Sequence, residues 1–457
     1  MKYRGNRGEY ELSSQPIATG GEGSIYTVTN PVGLAAKIYK NPPTGELRKK
    51  IEYMIANPPK GNTPGVCFAW PTDILRNAHG NMVGFIMPKV QGDVMLQYTA
   101  YHGNPGHFWR ARVALAHNLA LAVACAHASG FIMGDLNAKN MLVDDKANIA
   151  LVDTDSYRII DKSSGMVYPC EVGLGELLPP EMHPPAGISI KAFGVPHTQA
   201  TDNFSLAIQV FALLMNGAHP FQCSLAQSAS KSVANLQQVT AIRKCESAFF
   251  HINTNADIPP YAPQLDKLPP DIQQLTRRTF IDGHSSPTAR PNAQEWVDVL
   301  RRLYDQVASC TKNKAHEYYK GLRNCPWCEV DTRWAQANAR AQQISNSGTI
   351  SVSPPPIQST RPSTPVAPWT PPPPSQRVQP PHQSRSRPSR EFSFRNIGCF
   401  GVILLLLGGV FLYAFFFGLS STEPGTVALS QGDSTALLGL AIPLVAFTIF
   451  YFRAWRR

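Results

Sequence analysis

The sequence predicts an α+β fold, a small β-rich N-terminal lobe followed by a larger helical one, with a transmembrane helical hairpin at the C-terminal end. Three observations predict it. Strand-like and helix-like patterns alternate from residue 8 to about 305 without low complexity, a proline-rich tract fills 346–394, and two apolar runs close the chain. At 457 residues and 43% apolar content, the chain can bury a sizeable core.

The net charge of +11 divides unevenly. Six arginines between 346 and 397 face a single acid, Glu391, and three more, Arg453, Arg456 and Arg457, follow the last apolar run. Basic residues beside hydrophobic spans are what the positive-inside bias and anionic headgroups favour, so this charge reads as membrane topology and no nucleic-acid partner is expected. Nine cysteines in so long a chain do not form a secreted disulfide scaffold, and Met1 to Glu11 are too polar for a signal peptide. A cytosolic catalytic domain is expected.

The elements follow in order. Ile17 to Val28 places Gly20, Gly21 and Gly23 between two β-prone stretches. Glycines there let backbone amides approach phosphate oxygens, although, taken alone, a plain hairpin turn is the commoner explanation. Leu34-Ala-Ala-Lys37-Ile-Tyr reads as a buried strand delivering one lysine, which calls for a fixed anion. A helix is expected over about 44–56. Glu52 lies in its middle, and Glu46 in the first turn is accounted for by the helix dipole. An apolar helix over 118–128 precedes the loop holding Asp135 and Asn140, and a second apolar strand leads to Asp153-Thr-Asp155. A carboxylate proton acceptor with two hard oxygen ligands suits Mg²⁺ and phosphate chemistry.

These residues resemble the protein kinases, in particular divergent bacterial eukaryotic-like Ser/Thr kinases with Asp-x-Asp-Ser in place of Asp-Phe-Gly. The Gly-rich loop matches Gly21-Glu-Gly23-Ser-Ile-Tyr26, the strand lysine Lys37, the catalytic-loop Asp and Asn Asp135 and Asn140, and the Mg²⁺ Asp Asp153. Pro179-Pro180-Glu181 stands where Ala-Pro-Glu closes the activation segment, Asp202 resembles the buried Asp of the large lobe, and Arg290 the arginine that pairs with Glu181. The resemblance covers residues 8–305 and implies a bilobal protein-kinase-like fold. It implies ATP and Mg²⁺ as cofactors, with Gly21 and Gly23 over the phosphates and Lys37, held by Glu52, on the α and β groups. It further implies Asn140 and Asp153 on Mg²⁺, Asp135 as proton acceptor from a protein hydroxyl, and adenine near Met87 and Val90. Implied partners are a protein substrate, a protein phosphatase of the 2C type and von Willebrand-type domain proteins. A pseudokinase scaffold is the alternative reading.

The chain departs from the pattern in places. Met133-Gly134-Asp135 lacks the arginine that receives an activation-loop phosphate, so activity is expected not to need that phosphorylation. Asn137 replaces the lysine two residues after the catalytic Asp, with Lys139 either substituting or facing solvent. Asp155 replaces the glycine of Asp-Phe-Gly, as a further carboxylate near the metals or as a cap of the next turn.

Residues 306–345 form a polar, helical extension with Cys310, His316, Cys325 and Cys328. The Cys325-Pro-Trp-Cys328 spacing is half a zinc site that Cys310 and His316 complete, a redox pair, or two plain thiols. Residues 346–394 hold 13 of the 40 prolines and bury too little apolar surface to order, so a linker is expected. Residues 397–419 make a helix of about 34 Å, longer than the roughly 30 Å hydrocarbon core. Residues 435–452 complete the hairpin. With no Lys or Arg in the loop between them, both termini and the kinase domain belong on the cytoplasmic side of the inner membrane, the bilayer being the second partner.

Overall fold

The computed structural model describes residues 1–347, apart from 61–62, 101–105, 186 and 223–230. The expected linker from 348 onward and both expected spans, 397–419 and 435–452, lie outside these residues.

Six antiparallel strands close on themselves in the order β1 (Lys2–Arg4), β2 (Glu9–Thr19), β3 (Gly23–Asn30), β4 (Leu34–Tyr39), β7 (Met82–Pro88) and β6 (Asp73–Arg76). Closure comes from the β1–β6 pair at Arg4 and Arg76. Side chains alternate along a strand, and the barrel interior takes one face of β2, β3, β4, β6 and β7 (Tyr10, Leu12, Val28, Ala36, Leu75 and Ile86), with half-buried Tyr3 of β1 packed against it. The opposite face of β4 carries Ala35, Lys37 and Tyr39. Ala35 joins the main core with Ile74 and Phe85, so Lys37 and Tyr39 leave β4 on the side of the helical region. Gly84 of β7 allows the strands to approach, since a Cβ there would strike the Lys37 carbonyl.

Helix α1 (Gly45–Ala56) starts at Thr44, whose hydroxyl accepts from Leu47 N. It buries Lys50, Ile51 and Met54. A second sheet, ordered β5 (Val66–Phe68), β10 (Ile149–Leu151), β9 (Met141–Val143), β8 (Asp93–Val94), carries the two strands that join the Asp135 loop to Asp153.

The rest is helical: α2 (Leu96–Thr99), α3 (Trp109–Ala128), α4 (Ile190–Phe193), α5 (Gln199–Leu214), α6 (Lys231–Lys244), α7 (Pro270–Arg277), α8 (Gly283–Ser285), α9 (Ala293–Tyr304) and α10 (Pro326–Ser347). Small ribbons β11 (Ile159–Ile160)–β12 (Val167–Tyr168) and β13 (Val307–Ser309)–β14 (Glu317–Tyr319) interrupt it. Helix α3 begins nine residues before the expected 118. It is long and apolar enough to cross a membrane, yet it packs against α5 and α9 in the core. Helix α5 is buried on all sides, its polar Asp202, Ser205 and Gln209 hydrogen-bonded within the core. A β-rich N-terminal region followed by a helical one is consistent with the kinase fold that the sequence implies.

Candidate functional site

Buried polar contacts fix the loop between α3 and β9. Asp202, fully buried near the start of α5, accepts 2.8 Å hydrogen bonds from Met133 N and Gly134 N, and its Oδ2 lies 2.9 Å from His127 Nε2. Gln209, two turns along, donates to Leu136 O at 3.0 Å. The loop therefore presents Asp135 on a rigid backbone. Asn140 donates to Asp135 Oδ2 at 3.2 Å, while Asp135 Oδ1 is buried with no hydrogen-bond partner among the described residues. Burial first, then the charge of Asp153, raises the Asp135 carboxyl to about 6, against a smaller lowering by Asn140.

Past β10, Asp153 adopts the left-handed conformation (φ 57°) and starts a 3₁₀ turn over Thr154–Ser156. The turn is tied down by Thr154 Oγ1 donating to Ala69 O at 3.0 Å and Ser156 Oγ donating to Asp153 O at 2.8 Å. It sets Asp153 and Asp155 toward β4. Lys37 Nζ donates to Asp153 Oδ1 at 2.7 Å and to both oxygens of Asp155 at 2.8 and 2.7 Å, and Glu22 Oε2 lies 3.5 Å away. Glu22, Asp153 and Asp155 bring carboxylate oxygens within 4.8 Å of one another, with the Lys37 ammonium bonded to Asp153 and Asp155 and 3.5 Å from Glu22. Burial alone would lower the Lys37 pKa, but the charges of Asp155 and Asp153 outweigh it and raise the group above the usual lysine range.

The expected Glu52–Lys37 pair is replaced by a different one. Glu52 lies on the exposed side of α1 and pairs with Arg48 at 3.0 Å, because the face of α1 turned inward is the one carrying Leu47, Lys50, Ile51 and Met54. Sequence reasoning missed Lys50, Tyr39 and Glu22, and left Asp155 undecided. A signal was present for two of them. Lys50 falls at the second position of the 47, 50, 51, 54 stripe, and Tyr39 is two residues from Lys37 on one strand face.

The glycine loop is placed by backbone bonds: Gly20 N donates to Gly23 O at 2.9 Å and Lys40 N to Glu22 O at 2.9 Å. Gly21 is exposed, whereas Gly23 is buried where a Cβ would collide with the Ile38 carbonyl. Met87 is buried near the end of β7, and half-buried Val90 packs on the core beyond Pro88. Gly134 (φ 73°) occupies the position of the absent arginine, and a Cβ there would lie 2.6 Å from Cys170 Sγ. Asn137 accepts from Lys139 N at 3.0 Å, and Lys139 is exposed. Arg290 forms a bidentate pair with Glu181 at 2.7 and 2.8 Å.

A second cluster lies beyond α9. Cys310 Sγ is 3.7 Å from Cys328 Sγ, and His316 Nδ1 is 3.8 Å from Cys325 Sγ and 3.7 Å from Cys328 Sγ. All four ligand atoms fall within 4.8 Å of one another. With Zn–S near 2.3 Å and Zn–N near 2.0–2.1 Å, tetrahedral edges come to about 3.8 Å between sulfurs and about 3.5 Å between sulfur and nitrogen. His316 Nε2 faces Asp331 Oδ2 at 3.1 Å, the carboxylate contact that orients a ligating imidazole. The cluster adjoins the core through Trp327, whose Nε1 donates to Glu317 O at 2.7 Å and whose ring lies 6.4 Å from that of Trp109.

The chain is 31% identical over 336 residues, 71% of its length, to the protein kinase YegI of Escherichia coli O157:H7. It is 30% identical over 336 residues to the protein kinase YegI of Escherichia coli strain K12. These matches mark distant homology, and the chain spans about half the length of the curated relatives it matches. No protein-family model matches the chain.

Proposed function

We propose that the chain is a membrane-anchored protein kinase that transfers the γ-phosphoryl group of ATP to Ser or Thr hydroxyls in bacterial signalling. The observation that carries this is Asp135, whose inner carboxylate oxygen is buried without a hydrogen-bond partner among the described residues, beside Asn140 and near the charge of Asp153. A buried acceptor left open is costly unless a donor arrives, and a substrate hydroxyl is such a donor. Raised to about 6, Asp135 is ionised at neutral pH yet basic enough to take that proton. Asn140 and Asp153 offer the hard oxygens that magnesium prefers, and the cation, when bound, offsets charge on the transferring phosphate. Lys37 supplies a buried ammonium for the α and β phosphates, Gly21 and Gly23 the covering backbone, and Met87 to Val90 the adenine contacts.

The alternative, a scaffold that binds nucleotide without transfer, draws on one observation. Asn137 caps a turn and Lys139 faces solvent, so Lys139 does not replace the loop lysine. Transfer of labelled phosphate from ATP by the full chain, abolished in Asp135→Asn, separates the two; transfer that survives this substitution rejects the assignment of the base. The C-terminal hairpin is the proposed anchor, leaving the kinase region in the cytoplasm at the inner membrane. Cys310, His316, Cys325 and Cys328 are proposed to hold a structural zinc ion, the edge lengths and Asp331 supporting this over a redox pair.

A further inference from the structure

Asp155 is the most completely enclosed of the acids around Lys37. Its side chain is 2% exposed, against 39% for Asp153 and 66% for Glu22. Burying an ionised carboxylate is tolerated only when its oxygens are fully engaged, and here they are. Both take Lys37, and Oδ2 also accepts from the Tyr39 hydroxyl at 2.8 Å. The main chain of the same residue is held from the other side, where Lys50 Nζ of α1 donates to Asp155 O at 2.6 Å. Helix α1 thus brings a cation to the site, and its candidate anion, Glu52, faces away with Arg48.

We propose that Asp155 is the positioning carboxylate for Lys37, and that α1 supports it through Lys50 instead of supplying an acid of its own. The inference rests on the nucleotide-binding reading above and goes further in assigning how the phosphate-binding lysine is held. An ammonium has three protons, and the bonds to Asp153 and Asp155 account for them. When a phosphate approaches, the contact that can yield is the one to partly exposed Asp153, which is also the proposed metal ligand. The contact to Asp155 stays, because that carboxylate has nowhere to turn. One short turn then carries both functions: Asp153 for the metal, Asp155 for the lysine. Formation of the pair depends on β4 and the turn after β10, with α1 needed only as a brace.

The test uses the full chain in detergent, with MgATP dissociation constants and steady-state KM and kcat for wild type, Asp155→Asn, Tyr39→Phe, Glu52→Gln, Lys37→Met and the Lys37→Met/Asp155→Asn double variant. Asp155→Asn is expected to raise both Kd and KM for MgATP at least tenfold while lowering kcat less. Its effect should largely vanish in the Lys37→Met background, and Glu52→Gln should stay within twofold of wild type. Tyr39→Phe, which removes one hydroxyl and keeps the ring, should raise KM about threefold and serves if Asp155→Asn does not fold. A Glu52→Gln effect as large as that of Asp155→Asn, full additivity in the double variant, or an unchanged KM in both Asp155→Asn and Tyr39→Phe overturns the inference while leaving the kinase reading in place. Wild-type protein that binds no MgATP overturns both.

Discussion

Replacing Asp135 by Asn should abolish phosphoryl transfer and, at the same time, make the nucleotide-free protein more stable. The folded-state pKa of about 6 lies above the ordinary 3.8, so the fold favours the neutral carboxyl. The favourable contribution is therefore complete below 3.8 and lost as pH rises through about 6, above which the ionised group is a burden on the fold. That displacement is worth about 3 kcal/mol, which the partial exposure of the group reduces to about 2. Asn is neutral throughout, nearly isosteric, and able to accept the same bond from Asn140. A gain of about 2 kcal/mol should raise the melting temperature by about 3 °C at pH 8. The assay is a thermal melt of wild type and Asp135→Asn at a series of pH values from 4 to 8 without nucleotide. The difference should be largest above pH 6 and shrink toward pH 4. A variant no more stable than wild type at pH 8, or a difference that does not change with pH, refutes the claim that Asp135 is held ionised against its surroundings.

Three further outcomes follow from the same geometry. Purified protein should carry about one zinc per chain, and strong chelation should lower its melting temperature without reducing the MgATP affinity of the protein that stays folded; no metal by elemental analysis would leave the Cys310 cluster as plain thiols. Glu181→Gln keeps shape but removes the charge facing fully buried Arg290. It should cost about 2 kcal/mol, less than the 3–5 expected for losing a whole partner, because Gly283 O and Ala200 O still accept from the guanidinium. Ser163 and Ser164 are exposed hydroxyls that bond to Asp161, and Gly134 packs against Cys170 where a phosphate-receiving arginine would project. Their double replacement by Ala should leave transfer within about twofold of wild type in a phosphotransfer assay, a larger loss showing a need for phosphorylation there.

The sequence spoke most clearly where chemistry is local. Lys37 in an apolar strand and the Asp135–Asn140–Asp153 spacing located groups that the fold brings to one place. Arg290 and Glu181, 109 residues apart, meet in a bidentate pair that their resemblance to known motifs had anticipated. Partner choice around Lys37 was harder to read. A glutamate at mid-helix satisfies the spacing on paper, but which face of α1 turns inward is set by packing. The stripe of Leu47, Lys50, Ile51 and Met54 takes Glu52 out of reach. Asp155 was ambiguous for a related reason: a carboxylate after a strand either caps or pairs, and only the direction of the 3₁₀ turn decides. Barrel closure between Arg4 and Arg76 is a non-local pairing with no periodic trace in either segment.

The placement of Trp327 bears on where this protein can be cut. Its indole sits over Gly106, where even a methyl group would collide with the ring, and against Trp109 at the start of α3. Glu317, on the preceding strand, accepts from Arg110 N at 2.9 Å, and Arg333 of α10 donates to Pro260 O at 3.0 Å. A fragment trimmed at residue 305, where the motif resemblance stops, would strip an aromatic lid and a helix cap from the main hydrophobic interior. A soluble fragment for expression therefore has to retain the chain through α10.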